Sequence, residues 1–127
     1  MTTSAIIFLI GRIMFGGYFV MMGFNHFKNH QMLTGYAASK KVPMPSMAVY
    51  ISGLFIFMGG IGIILGMYPI ISLSLIIAFL LPVSFMIHSY WKNSDPMAKM
   101  ADMTHFFKNL ALIGAALMII SFFLLPM

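Results

Sequence analysis

The sequence predicts an all-α membrane protein, a four-transmembrane-helix bundle with a short interfacial helix between helices 1 and 2. Three observations predict it. Of 127 residues, 61% are hydrophobic and 7% are charged; a water-soluble domain of this size has too little interior to hide so much apolar surface. Four apolar runs, at about residues 5–24, 47–67, 70–88 and 106–125, each approach the ~20 residues that cross a hydrocarbon core of ~30 Å. The polar residues gather between these runs rather than within them.

Inside lipid each run must bond its own backbone amides, which means helix. Barrel strands would be shorter and would alternate in polarity, and these runs do neither. The first four residues, Met1 to Ser4, carry no Lys or Arg and no cleavage pattern, so the first span is expected to remain in the mature chain. Between spans one and two, residues 31–41 mix Met32, Leu33, Tyr36 and Ala37 with Thr34, Lys40 and Lys41. A short helix lying in the interface is expected there, closed by Val42-Pro43-Met44-Pro45. Pro69 suits the first turn of span three, which makes Gly66-Met67-Tyr68 a tight turn and spans two and three a hairpin. Pro82 falls inside span three, where a kink is expected because an amide donor is lost. Residues 89–105 are expected as a loop, with Tyr90 and Trp91 at headgroup level. No repeat of 20–50 residues is found.

Charge sets the expected orientation. Lys28, Lys40, Lys41, Lys92, Lys99 and Lys108 lie on the side of the two long loops, against Arg12 on the other. The long loops are therefore expected in the cytoplasm and both termini outside, in the plasma membrane. The net charge of +5 speaks for lipid headgroups rather than nucleic acid, because the cations alternate with membrane spans. The absence of cysteine excludes thiol–disulfide chemistry, iron–sulfur clusters and thiolate metal sites within the chain. No Walker loop, dinucleotide fingerprint or His-Glu-x-x-His motif occurs, and no Ser-His-Asp set is expected in one layer.

Three polar features are candidates for chemistry. All four histidines, His26, His30, His88 and His105, fall at one membrane face, together with Asn25, Trp91, Lys108 and Asn109. His26 and His30 share a helix face if the helix continues, as do His105 and Asn109; Ser84, His88 and Trp91 make a stripe on span three. Such a layer can hold a quinone headgroup, a metal or a small anion, or can simply meet water and lipid phosphate. The histidines are weak metal candidates because no carboxylate lies within a span, and haem would need a deeper axial histidine. Arg12 is an intramembrane charge. Its plain reading is snorkelling to outer headgroups; the sharper one is an anionic ligand or a partner's carboxylate, with Ser74 and Ser121 at comparable depth to supply oxygens. Asn109, inside span four, can bond across helices.

Glycines 59, 62 and 66 in span two, and Gly16 and Gly23 in span one, form smooth stripes that serve bundle packing or a homo-oligomer interface. The 15 methionines read as filler, since no repeated Met-x-x-Met cluster suggests metal transport.

Six strings in order, residues 11–19, 23–27, 36–43, 59–66, 86–91 and 106–112, carry a family resemblance. They include the Asn-His-Phe, His-x-x-Trp and Lys-Asn elements. By these the chain resembles the DoxX family of small membrane proteins over nearly its whole length. The resemblance implies one transmembrane domain over 1–127, and places family motifs on Arg12, Asn25, His26, His88, Trp91, Lys108 and Asn109. It also implies a link to quinone chemistry, since the namesake group is tied to a thiosulfate:quinone oxidoreductase, while other relatives look like accessory, assembly or stress-linked proteins. Many relatives carry an acid in the second helix; this chain has Phe55-Ile56-Phe57 there. The function expected is a redox-associated, quinone-linked accessory subunit that works with other membrane subunits or as a homo-oligomer. The alternative is a non-catalytic structural or assembly subunit, and a transporter is a third reading that four helices with one charge support poorly.

Overall fold

The computed structural model describes residues 1–126. Five α-helices make up the chain: α1 (Thr3–Lys28), α2 (His30–Ser39), α3 (Pro45–Leu65), α4 (Pro69–Met86) and α5 (Pro96–Leu124), with one turn of 3₁₀ helix at Tyr90–Lys92. No strand occurs among the described residues. Four of the helices, all but α2, are long and apolar enough to cross a membrane.

The helix ends follow from local chemistry. The Thr2 hydroxyl accepts from the Ala5 amide at 3.1 Å, so α1 starts with a capped turn. Pro45 and Pro69 both open helices as first-turn residues, where the missing N–H costs nothing. Gly66 ends α3 in the left-handed region at φ 71°, and the Met67 amide bonds back to the Gly62 carbonyl at 2.8 Å. This is the tight turn the sequence predicts. The interfacial-helix position is filled by α2, shifted slightly toward the N-terminus of the expected segment. The helix continues through Pro82 and stops at Met86.

Span four differs most from expectation. It was expected near Phe106, but α5 begins ten residues earlier, at Pro96. Asp95 starts it, its carboxylate accepting from the Ala98 amide at 2.9 Å, and Pro96 sits in the first turn. At 29 residues α5 is about 43 Å long at ~1.5 Å per residue. It therefore outruns a ~30 Å hydrocarbon core, and its polar first turns stand clear of it.

Helix α1 packs on α3, α3 on α4, and α4 on α5, while α2 lies across α3. Phe19, Ile56, Leu73, Ile76 and Ala116 lock the four long helices around one buried centre. Glycine sets the closeness of α1 and α3. A Cβ on Gly16 would stand 2.7 Å from the Gly60 carbonyl, and one on Gly60 would stand 2.7 Å from the Gly16 carbonyl. Lipid gives no hydrophobic drive between helices, so this close dispersion contact is what holds the pair. Between α1 and α5 the contacts are made by side chains: Phe8 against Phe122 and Phe123 near the ends, and Lys108 to Tyr18 further along.

Candidate functional site

A cavity of ≈ 440 Å³ lies toward the lysine-rich end and takes walls from all five helices. Its lining is mainly apolar: Phe19 and Met22 of α1, Val49 and Phe55 of α3, and Phe79 and Val83 of α4. His26, His88, Lys108 and Asn109 are among its polar residues, beside the hydroxyl-bearing Tyr18, Tyr36 and Ser52. Apolar walls with a few placed polar groups are what a lipophilic headgroup needs.

Each polar group has its own support. The Nδ1 of His26 lies 2.8 Å from the Met22 carbonyl; a carbonyl only accepts, so Nδ1–H donates and, in the neutral ring, Nε2 keeps its lone pair. The ring also stands edge-on to Phe79, with centroids 5.5 Å apart. His88 repeats this logic with a stronger partner, its Nδ1 being 3.1 Å from the Asp102 carboxylate. That bond fixes the ring and, in the neutral imidazole, leaves Nε2 as an acceptor. Lys108 donates to the Tyr18 hydroxyl at 3.0 Å and lies 3.4 Å from Nδ1 of His105. Asn109 is buried, and its side-chain amide bonds no protein group among the described residues, so its donors and acceptor stand free at the cavity wall.

Asp102 organises the layer behind His88. Its carboxylate accepts from the amide of Asn93 at 2.7 Å and the ammonium of Lys40 at 3.3 Å, besides His88. It is buried on the residue scale, whereas Lys40 reaches toward the surface. Three donors on one carboxylate favour its charged form. The Lys40 bond also ties α2 to α5, across the cavity that both help to shape.

Of the other expected members of the layer, His105 stays beside His88 and the rest go elsewhere. Asn29, at φ −108° and ψ 33°, interrupts the helix between α1 and α2, so His26 and His30 do not lie on one continuous helix, although both meet α3, at Gly53 and Tyr50. His30 instead stacks on Tyr50 at 3.6 Å and bonds the Ser46 carbonyl at 3.0 Å. Asn25 bonds Asn29 and does not line the cavity. Trp91 is 49% exposed and packs on Phe85 and Phe106 outside the cavity. His105 stacks on His88 with ring centroids 4.8 Å apart. Ser84 turns its hydroxyl to the Leu80 carbonyl of its own helix. Among the described residues no three His or Asp side chains are grouped to hold a metal ion.

Arg12 lies at the opposite end and does not belong to this site. Its Nε donates to the Ile63 carbonyl at 3.0 Å and its Nη2 to the Ile64 carbonyl at 2.6 Å. The expected serine oxygens are not its partners; Ser74, for one, gives its hydroxyl to the Ile70 carbonyl. The side chain turns inward because the last carbonyls of α3 carry the negative end of its dipole and keep acceptor capacity, Ile63 accepting besides only the Gly66 amide at 3.2 Å.

The family model of DoxX matches residues 7–89, more than half of the chain. The chain belongs to the DoxX family. No curated protein and no solved structure matches it. Within the DoxX match lie Arg12, Asn25, His26 and His88. Trp91, Lys108 and Asn109 lie beyond it, so the matched segment is shorter than the full-length resemblance of the motifs.

Sequence reasoning about this DoxX protein missed Asp102, Asn93, Lys40 and Tyr18. Asp102 had a readable signal. The buried residues of α5 are Asp102, Phe106, Asn109, Ile113 and Ala116, spaced four, three, four and three apart, one face of a helix. Extending that stripe upstream from Asn109 reaches Asp102, and the Asp95-Pro96 pair marks where the helix must begin. Lys40 and Tyr18 had no such signal, because a lysine beside a span also reads as a topology anchor.

Proposed function

We propose that this DoxX protein is a quinone-linked accessory subunit of a membrane electron-transfer system, and that the cavity at the lysine-rich end receives the quinone headgroup. The observation that supports this most is the pairing of two neutral-ring acceptors, Nε2 of His26 and Nε2 of His88, with the free amide of Asn109 in one apolar cavity. A quinol hydroxyl would donate to a histidine, and a quinone carbonyl would accept from Asn109 or Lys108. The prenyl tail would leave between α1 and α5, where side chains alone close the bundle. The chain offers no redox centre of its own in this reading, so electrons would pass to or from a partner subunit. Asp102 acts as a positioning residue that holds the His88 ring.

The six lysines around the long loops support an orientation with those loops in the cytoplasm and both termini outside, in the plasma membrane. The alternative role, a structural or assembly subunit, draws less support. The glycines that could dock a partner are largely spent on contacts inside the chain, Gly16 and Gly60 on each other and Gly23 against Phe57.

The test is direct. Protein purified from its own membranes in mild detergent should carry lipophilic quinone detectable by mass spectrometry of the organic extract. His88→Leu and Asn109→Leu should each lower the retained quinone by about tenfold, the loss of a hydrogen bond to a desolvated group. Absence of quinone from the wild type, with no electron-transfer protein at stoichiometric amount, would reject the proposal.

A further inference from the structure

A second cavity, ≈ 390 Å³, lies at the opposite end of the bundle and has Arg12 in its wall. Apart from Arg12 its lining is apolar or glycine, with Phe8 and Phe15 from α1, Leu73 from α4, and Ile119 and Phe123 from α5. The quinone reading makes no use of it.

The charge of Arg12 is incompletely answered by the protein. The chain has only two carboxylate side chains, Asp95 and Asp102, and both belong to the far end. Two of the five guanidinium N–H groups bond the Ile63 and Ile64 carbonyls. The remaining three, including both on Nη1, meet no acceptor among the described residues, and the Phe8 ring lies 5.8 Å from the guanidinium carbon. Carbonyls at a helix end carry only about half a negative charge. An unneutralised cation beside apolar walls is costly in lipid. Pro69, the first residue of α4, also lines the cavity, so the positive end of a second helix adds to the same field.

Position specifies the ligand further. Arg12 stands level with the α3–α4 turn, since its Nη2 is 2.8 Å from where a Cβ on Gly66 would be. A turn between two membrane spans belongs near headgroup level. From there the apolar walls lead toward Phe15 and Leu73, deeper in the bundle. The geometry therefore points to an anionic phospholipid, with its phosphate on the free guanidinium edge of Arg12 and an acyl chain in the groove between α1 and α5. Arginine suits this role because its fork bonds two phosphate oxygens at once while its other edge holds α3. An acidic side chain of another membrane protein could meet the same charge, but it would not fill the apolar groove.

The full-length protein can be reconstituted in nanodiscs of equal dioleoyl phosphatidylglycerol and dioleoyl phosphatidylcholine, then released for native mass spectrometry. One phosphatidylglycerol should remain bound, favoured over phosphatidylcholine by about tenfold. Arg12→Gln should abolish that preference. Because Arg12 also caps α3, a second variant keeps the test sharp. A Cβ on Gly11 would meet nothing within 4 Å, and Gly11 lines the cavity. Gly11→Leu should therefore fill the groove, leave the thermal unfolding temperature unchanged and expel the lipid about tenfold. Equal retention of the two lipids by the wild type would overturn the proposal. So would full retention of phosphatidylglycerol by Gly11→Leu, or a stoichiometric protein partner on Arg12 in place of lipid.

Discussion

At the lysine-rich end Asp102 gathers His88 and Asn93 from the α4–α5 connection and Lys40 from the end of α2, whereas at the opposite end Arg12 turns to the carbonyls of Ile63 and Ile64. One end balances charge with a side-chain network that reaches water through Lys40. The other balances it with helix-end backbone and leaves part of the cation free. The difference follows from where acids can stand. A carboxylate is tolerable on the overhanging turns of α5, outside the hydrocarbon, whereas the walls around Arg12 are apolar and offer none. Each end also opens a cavity: His26, His88 and Asn109 line one together with Lys108, and the part-buried guanidinium of Arg12 lines the other.

The contrast can be broken at its shared support. Gly16 and Gly60 hold α1 against α3 between the two cavities, so Gly60→Val should disturb both ends together. About 3 kcal/mol or more of destabilisation is expected from forcing a branched side chain onto backbone, read as a large fall in thermal unfolding temperature in detergent. A variant that stayed as stable as the wild type would mean that this contact does not hold the helices.

A smaller effect should fall on one end alone. Asp102→Ala strips one acceptor from three donors, a loss of about 2–3 kcal/mol. Because Lys40 then lets go of α5, amide exchange should quicken in α2 and remain unchanged at Arg12. Uniform quickening along the whole chain would contradict the separation of the two ends.

The smallest effects should come from residues that sequence motifs highlighted and the structure leaves outside the cavity. Trp91→Phe and Asn25→Ala should each change stability by less than about 0.5 kcal/mol and leave quinone retention intact. Loss of quinone from either would move the site outward, away from the cavity.

These outcomes bear on how much the residues alone reveal. The four spans were legible because ~20 apolar residues in a row have one solution in lipid. The α3–α4 hairpin was legible because Pro69 has one comfortable place in a helix. The first turns of α5 were hidden because Lys99, Asp102 and His105 look like loop when hydropathy alone is followed. His26 and His30 looked paired because spacing does not show that the backbone turns at Asn29. Arg12 was marked as unusual by its charge, yet its partners were invisible, since any helix end offers the same carbonyls and only packing selects α3. The cavity was beyond reach for a similar reason: its walls come from five helices, and no local pattern encodes the space between them.

The single tryptophan allows the central claim to be measured in solution. Trp91 packs on Phe106 at 5.5 Å between ring centroids, close to the cavity yet outside its walls, so a bound quinone should quench its fluorescence without displacing it. Titration of a short-chain quinone into the detergent-solubilised protein is expected to give saturable quenching, with the midpoint shifted about tenfold higher in Asn109→Leu. Quenching that rises linearly without saturation, identically in wild type and Asn109→Leu, would contradict the account.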